Sequence, residues 1–269
     1  MVRAYIAGGI VGLICPLLGT FLVLRRLSLI ADTLAHVALA GAAIGLFVNG
    51  YPVLIAIGTS ALAAVAIEQM RASRWMESDT ALALILYTAL ALVVVFASLG
   101  GGSNVDLFGF LFGSVVTVGN ADVWATTALG VSVLALVCVL YNELVQATFD
   151  PDLAKVSGVN LGRTNLVLAI LTGVTVTLSM RVVGALLVGA LVVFPVLASL
   201  QLGRGFRITL MVAGILGAVS VFSGLTVSYY QDIPAGGAIV LTALGALALA
   251  SAGRLVISKK AQRTRTKVM

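Results

Sequence analysis

Long apolar runs recur along almost the whole chain, and they restrict its possible folds more than any other feature. A transmembrane α-helix needs about 20 consecutive apolar residues. This pattern predicts an all-α protein, a polytopic membrane helical bundle of eight or nine spans. The candidate segments are Ala4–Leu24, Leu29–Val48, Val53–Gln69, Thr80–Leu99, Ala121–Tyr141, Asn165–Met180, Val182–Leu200, Ile208–Tyr229 and Pro234–Val256.

Two neighbouring segments leave the number of spans between eight and nine. Asn165–Met180 has about 16 residues, below the usual spanning length, and we expect it to be the weakest span. Only Arg181 separates it from Val182–Leu200, so the two form either a tight hairpin or one broken helix. A further apolar piece, Val105–Val118, is short and contains glycine, which favours a surface or re-entrant element.

Composition excludes several classes of protein. Hydrophobic residues make up 61% of the chain and charged residues 10%, whereas a soluble domain is about 45–50% apolar and about 25% charged. No polar stretch is long enough for a soluble enzymatic domain. The sequence has no Gly-rich phosphate-binding loop ending in Lys-Ser/Thr and no HExxH motif, so we expect no enzyme activity and place any ATP hydrolysis in another polypeptide.

The basic residues predict the orientation in the membrane. With the N-terminus outside and the C-terminus in the cytoplasm, only Arg3 and Arg181 of the 16 Lys and Arg residues fall outside. Such a bias is typical of cytoplasmic loops, so the net charge of +6 indicates no nucleic-acid partner. We expect a single transmembrane domain over 1–257 and a basic cytoplasmic tail over 258–269, close to anionic lipid.

Two ionisable residues lie inside the second apolar run. Asp32 and His36 are four residues apart, which places both side chains on one helix face, a turn apart. A charge in the middle of the membrane costs about 2.5–3.5 kcal/mol on insertion scales, and an ionisable residue there indicates function. A carboxylate oxygen and an imidazole nitrogen together suit a divalent transition metal such as zinc or manganese.

One chain supplies only two such ligands, because His36 is its single histidine. Zinc usually takes four ligands. A twofold dimer that faces this helix against its copy supplies two Asp and two His, so the ligand count favours a paired subunit with a site on the axis. Two alternatives stay open: an Asp32–His36 hydrogen bond that satisfies two polar groups within a bundle, and a proton relay.

The segment over 142–164 is the most polar stretch before the tail. Asp150 is a suitable N-cap and Pro151 fits the first position of a helix. Ala154 lies four residues after Asp150, and Gly158 lies where a C-terminal cap is expected. The pattern predicts a short, self-capped helix parallel to the membrane, suited to transmit force from a cytoplasmic partner; the alternative is an ordinary capped loop helix.

Several motifs along the chain resemble those of one family, the permease subunits of bacterial zinc and manganese ABC importers, and the zinc-uptake members in particular. The resemblance covers nearly the whole chain. The motifs are, in order, Leu24-Arg25-Arg26-Leu27-Ser28-Leu29, Asp32-Thr33-Leu34-Ala35-His36, Gly41 with Gly45, Asp106-Leu107, Leu111-Phe112-Gly113, Pro151-Asp152-Leu153-Ala154 with Gly158-Val159, Val183-Gly184-Ala185-Leu186-Leu187 through Phe194-Pro195, Gly224-Leu225-Thr226, and Asp232-Ile233-Pro234-Ala235-Gly236.

The resemblance implies a permease subunit in the bacterial cytoplasmic (inner) membrane. It implies a homodimeric pathway, two cytoplasmic ATPase subunits that bind the ATP, and an extracytoplasmic metal-binding protein. Zinc or manganese is then the transported substrate, and the permease holds no cofactor of its own. Asp32 and His36 are the expected metal ligands in the pathway.

The same resemblance implies that the segment over 142–164 couples the permease to the ATPase. The residues expected to act there are Asp150, Asp152, Ala154 and Gly158. Zinc is the favoured cargo, with manganese or iron as alternatives. An ion-coupled secondary metal carrier and a non-transporting membrane scaffold are the competing classes of function.

Overall fold

The described part of the chain is helical throughout its regular elements, as the apolar runs predict. The computed structural model describes residues 2–73, 77–99, 109–113, 119–203 and 205–265, without the side chains of 121 and 255–265. The longer helices are α1 (Val2–Leu24), α2 (Leu29–Phe47), α3 (Pro52–Ala72), α4 (Ser78–Leu99), α5 (Asn120–Val139), α6 (Tyr141–Phe149), α7 (Pro151–Val156), α8 (Leu161–Val183), α9 (Ala185–Leu200), α10 (Phe206–Gln231) and α11 (Ala235–Arg265).

Eight of these helices are long and apolar enough to cross a membrane. The prediction that Asn165–Met180 is the weakest span is wrong, because this piece is the centre of the 23-residue α8. The helix begins earlier because Asn160 caps it, its side chain accepting a hydrogen bond from the backbone N–H of Arg163. Its last turn, past Met180, is held to α5 by an ion pair between the Arg181 guanidinium and Asp122.

The short apolar helix is instead α9, with 16 residues. At about 1.5 Å per residue it is roughly 24 Å long, below the roughly 30 Å of a hydrocarbon core. The break between α8 and α9 falls at Gly184, whose φ of +94° favours glycine. The predicted separation at Arg181 is therefore three residues too early.

The described residues 109–113 pack against this break. They form one helical turn that ends at Gly113. The backbone of this turn lies beside the backbone of Gly184. This position agrees with a surface or re-entrant element for the Val105–Val118 segment, most of which lies outside the described residues, as does Asp106-Leu107. The tail over 258–269 is described only as helical backbone up to Arg265.

The buried layer consists mainly of α1, α2, α8 and α9. About three quarters of the spanning windows of α1 and α2 are buried, against 11% for α4. Helix α1 packs on α5, α8, α9 and α10, and α2 packs on α3, α4, α8 and α9. The apolar core between them includes Phe21, Leu34, Met180 and Leu191. The helix that carries both candidate metal ligands therefore packs against four other helices of its own chain.

Candidate functional site

Asp32 and His36 lie in the first two turns of α2. Asp32 is in the first turn of the helix, near one end of the predicted span and not at its middle. The N-terminal end of a helix carries a partial positive charge that favours a carboxylate. The electrostatic cost of Asp32 at this place is therefore lower than at the centre of a span.

The imidazole of His36 is held by the backbone. Its Nδ1 lies 2.9 Å from the carbonyl oxygen of Asp32. A carbonyl only accepts hydrogen bonds, so Nδ1 carries the proton and Nε2 of the neutral ring keeps its lone pair. A backbone hydrogen bond at one ring nitrogen is the usual arrangement for a histidine that ligates a metal through the other.

The Asp32 carboxylate is left free. Its Oδ1 lies 3.9 Å from His36 Nδ1 and 37% of the side chain is exposed. That separation is too long for a hydrogen bond between the two side chains, so the hydrogen bond that joins these residues runs from the His36 ring to the Asp32 backbone. The structure gives this carboxylate no hydrogen bond to any residue that it describes. The pair therefore offers two oxygens and one ring nitrogen to a ligand.

Gly189 of α9 packs directly against Asp32, and the sequence analysis missed it. A Cβ atom built at this glycine lies 3.2 Å from both Cβ and Oδ1 of Asp32, tighter than an ordinary van der Waals contact. The glycine lets α9 approach the carboxylate without displacing it. Only a glycine inside an apolar helix marks this position in the sequence, and such glycines are too common here to single it out.

The opposite side of α2 is held by α3. Gly41 packs against Ala56 and Thr59, and Gly45 packs against Pro52. These glycines, spaced as in a GxxxG motif, allow close approach of helices. The close contact is within the chain, so α2 is fixed between α3 and α9 and the ligand pair has a defined position.

The described residues of one chain bring together only two of the candidate ligands. Among the residues that the structure describes, no group of three or more His, Cys, Asp or Glu side chains is placed to hold a metal ion. The ligand count made from the sequence therefore applies to the described fold as well.

The second predicted region, over 142–164, contains two helices where the sequence predicts one. Helix α6 follows α5 after Leu140 alone and buries Leu144 and Ala147. Asp150 then ends α6 and caps α7, its Oδ1 accepting hydrogen bonds from the backbone N–H groups of Asp152 at 3.1 Å and Leu153 at 2.9 Å. The predicted N-cap is confirmed.

The end of α7 is closed as tightly as its beginning. The N–H of Gly158 donates to the carbonyl of Lys155, and the N–H of Val159 donates to that of Ala154. This pair of bonds is the Schellman motif, and Gly158 takes the required left-handed conformation at φ +83°. The predicted self-capped helix is confirmed.

The four predicted coupling residues therefore lie on α7 and its caps. Asp32 and His36 lie on a different helix, α2. Ala154 is fully buried, whereas 94% of the Asp152 side chain is exposed, beside Lys155. Helix α7 contacts α6 and α8. Its outward side carries Asp152 and Lys155 together with the exposed apolar side chains of Leu153 and Val156, and Ala154 anchors its inner side to the bundle.

Residues 1–254 match the model of the ABC 3 transport family. The chain belongs to this family. The manganese transport system membrane protein MntC of Halalkalibacterium halodurans is 30% identical to it over 92% of the chain and 85% of the relative. The high-affinity zinc uptake system membrane protein ZnuB of Haemophilus influenzae is 31% identical over 88% of the chain and 91% of the relative.

A solved structure supports the same assignment. The structure described as PsaBC from Streptococcus pneumoniae in complex with Fab matches 93% of the chain and 90% of that chain, with a TM-score of 0.83 and 27% identity. The predicted resemblance is confirmed, and the chain is a permease subunit of a metal ABC importer rather than an enzyme. Relatives named for manganese and for zinc both occur, so the family alone does not select the metal.

Proposed function

We propose that this permease imports zinc through a pathway in which Asp32 and His36 bind the ion. The observation that supports this most directly is the pairing of a carboxylate without hydrogen bonds and an imidazole whose Nδ1 is fixed by a backbone carbonyl. Both groups lie one turn apart on a helix held between two others. In a site of this kind the ligand atoms are available to a passing ion, because other groups of the protein do not occupy them.

The proposed transporter contains two copies of this chain. A second Asp32 and a second His36, brought across a twofold axis, complete a four-ligand set that one chain lacks. The exposed fraction of Asp32 leaves room for an ion and for ligands from the partner. This arrangement makes the dimer part of the metal site, so the ion binds at the interface and not within either subunit.

Zinc is proposed over manganese on two grounds. Asp32-Thr33-Leu34-Ala35-His36 resembles the motif of zinc-uptake members. Mixed carboxylate and imidazole ligands also bind zinc more tightly than manganese in the usual affinity order. The two relatives are nearly equal in identity, at 31% for zinc and 30% for manganese, so the experiment below compares both metals.

The proposed partners follow from the permease role. Two ATPase subunits dock in the cytoplasm on the exposed side of α7 and bind the ATP. An extracytoplasmic metal-binding protein docks on the opposite side and delivers the ion, in the bacterial inner membrane. The exposed Asp152 and Lys155 side chains, with the capped ends of α7, suit this helix to fit a groove on a partner.

The test uses the complete transporter, the permease with its ATPase and binding protein, in proteoliposomes. The His36→Gln variant keeps an amide donor for the Asp32 carbonyl and removes the ring nitrogen ligand. We expect bound metal and ATP-dependent uptake to fall at least about 100-fold while the complex still assembles, since even groups that only support a ligand cost 10–100-fold when removed. Zinc and manganese compete at equal concentration.

Three results contradict the proposal in different ways. Unchanged metal binding and uptake in His36→Gln shows that Asp32 and His36 do not form the metal site. Preferred uptake of manganese in the competition overturns the choice of zinc alone. Uptake that continues without ATP, or after removal of the ATPase, favours the ion-coupled secondary carrier.

A further inference from the structure

Arg25 connects the turn before α2 to the helix that leads into α7. It lies in that turn, seven positions before Asp32. Its Nε donates to Thr148 Oγ1 at 2.9 Å, and its Nη2 donates to the Leu144 carbonyl at 3.3 Å, both on α6. Its Nη1 donates to Asn165 Oδ1 of α8 at 2.6 Å.

These bonds satisfy a charge that the fold places in partly buried surroundings. All three acceptors of Arg25 are neutral, and no carboxylate within the described ranges forms an ion pair with it. Burial lowers the pKa of Arg25 to about 10, with the nearby Arg71 acting in the same direction and Glu68 in the opposite one. Glu68 is itself paired with Arg71 at 2.8 Å.

Joining two helices through a half-buried cation that is held by neutral groups has a high cost in desolvation free energy. Apolar side chains of similar volume join helices at no cost in desolvation. The guanidinium instead supplies three directional bonds that join two different helices, and its fork geometry holds them in one orientation. Such a connection ties the orientation of the guanidinium to the positions of both helices.

A cavity of about 350 Å³ lies beside these bonds. Arg25, Arg71, Thr148 and Pro151 are among the residues that line it. Pro151 is the first residue of α7. The cavity therefore leaves open space beside the Arg25 hydrogen bonds and beside the start of α7.

We propose that Arg25 is a positioning residue that couples movement of α6 and α7 to the start of α2. When a partner shifts α7, α6 shifts with it, and the Arg25 bonds to Thr148 and Leu144 carry the shift into the turn that begins α2. Asp32 lies in the first turn of that helix, so its carboxylate moves relative to α9. The inference deepens the proposed function and rests on it.

The test measures metal import and ATP hydrolysis together in the complete transporter. In Arg25→Gln we expect assembly with the ATPase and binding of zinc to be retained, while zinc imported per ATP hydrolysed falls about tenfold, in line with the loss of charge-assisted hydrogen bonds. A residue that is only structural lowers both quantities together and leaves their ratio unchanged.

Arg26→Gln is the matched control. Arg26 is the next residue, carries the same charge and is exposed, and the structure gives its side chain no hydrogen bond or ion pair to the residues it describes. Removing its charge weakens the positive-inside pattern equally. We expect its ratio of import to hydrolysis to stay within about twofold of the wild type, since exposed charges contribute little.

Thr148→Val provides a second variant of nearly the same shape. It removes the acceptor for Nε and keeps Arg25 in place, and we expect a loss of about threefold in the ratio. The double variant with Arg25→Gln should be no worse than Arg25→Gln alone, because both remove the same connection.

A wild-type ratio in Arg25→Gln overturns the proposal, as does additive loss in the double variant. If Arg25→Gln does not assemble, a wild-type ratio in Thr148→Val overturns it. The proposed function fails separately, by unchanged zinc binding in His36→Gln, a result that does not depend on Arg25.

Discussion

The start of α2 and helix α7 both place an aspartate at the beginning of a helix, and they use it in opposite ways. Asp150 accepts two backbone hydrogen bonds and closes the end of α7. Asp32 stands in the first turn of α2 and has no hydrogen bond to the described residues, although it gains the same favourable helix dipole. Of the two, only Asp150 stabilises its helix by capping it.

This contrast separates two requirements of a transport protein. In the proposed transporter α7 transmits force from a partner, and its two capped ends keep its shape. Asp32 has the proposed role of binding the metal, and its carboxylate has no hydrogen bond to the described residues. Gly189 leaves room on one side of Asp32, and the exposed part of the side chain leaves room on the other.

The largest expected effect tests the free carboxylate. Asp32→Asn keeps the shape and removes the charge, and we expect the initial rate of metal uptake to fall at least about 100-fold with assembly intact, because an amide is a far weaker ligand for a divalent ion. Bound metal, measured by elemental analysis of the purified complex, should fall with it. Normal uptake in this variant shows that transport does not need the Asp32 carboxylate, so that its contrast with Asp150 has no functional meaning.

A smaller effect is expected from the space beside Asp32. Gly189→Ala places a methyl group 3.2 Å from Oδ1, so the carboxylate or α9 must shift by a few tenths of an ångström. We expect about tenfold weaker metal binding, as for other changes that misplace a ligand, measured by titration of the purified complex.

Gly245→Ala is the matched control for that substitution. Gly245 also lies inside a helix, and a Cβ atom there meets no described atom within 4 Å. We expect metal binding to be unchanged. Equal losses in both variants indicate a general effect of glycine replacement and not a local one at Asp32.

The C-terminal cap of α7 gives the next prediction. Gly158→Ala forces an L residue into the left-handed conformation, which costs about 1–2 kcal/mol. We expect hydrogen exchange of the α7 amides to quicken by about five- to thirtyfold, since each 1.4 kcal/mol is a factor of ten. Gly162→Ala, a glycine of α8 with ordinary conformation, should leave exchange in α7 unchanged; faster exchange there too argues against the cap.

The smallest expected effect comes from a comparison of Asp150 with Asp152, which are two residues apart. Asp150→Ala removes the N-cap and should destabilise α7 by about 1 kcal/mol. Asp152→Ala removes only an exposed ion pair with Lys155, worth about 0.2–1 kcal/mol at most. Hydrogen exchange of the α7 amides measures both, and an effect of Asp152→Ala equal to that of Asp150→Ala contradicts the capping role.

Local features of this protein were predictable because they depend on neighbouring residues. Apolar runs of spanning length identified the helices, and the cap of α7 followed from Asp150, Pro151 and Gly158, all within nine residues. The Asp32 and His36 pair shares a face because the helical repeat requires it. None of these needs a contact between distant parts of the chain.

Other features depended on tertiary contacts and escaped prediction. The last turn of α8 is held to α5 by the Arg181–Asp122 ion pair, which joins residues far apart in sequence. The contact between Gly189 and Asp32 exists only because α9 crosses α2 there. The Arg25 bonds to α6 and α8 span more than 100 residues.

The sequence by itself determined that this chain is a helical membrane protein with an Asp–His pair on one helix face and one short self-capped helix, because hydropathy, helical spacing and capping are local. Only the tertiary structure decided that α9 is the short helix, that Gly189 faces Asp32, and that Arg25 links α6 to the turn before α2. These depend on which helices come to lie side by side, and side-by-side packing depends on shapes and charges that residues far apart in the chain supply together.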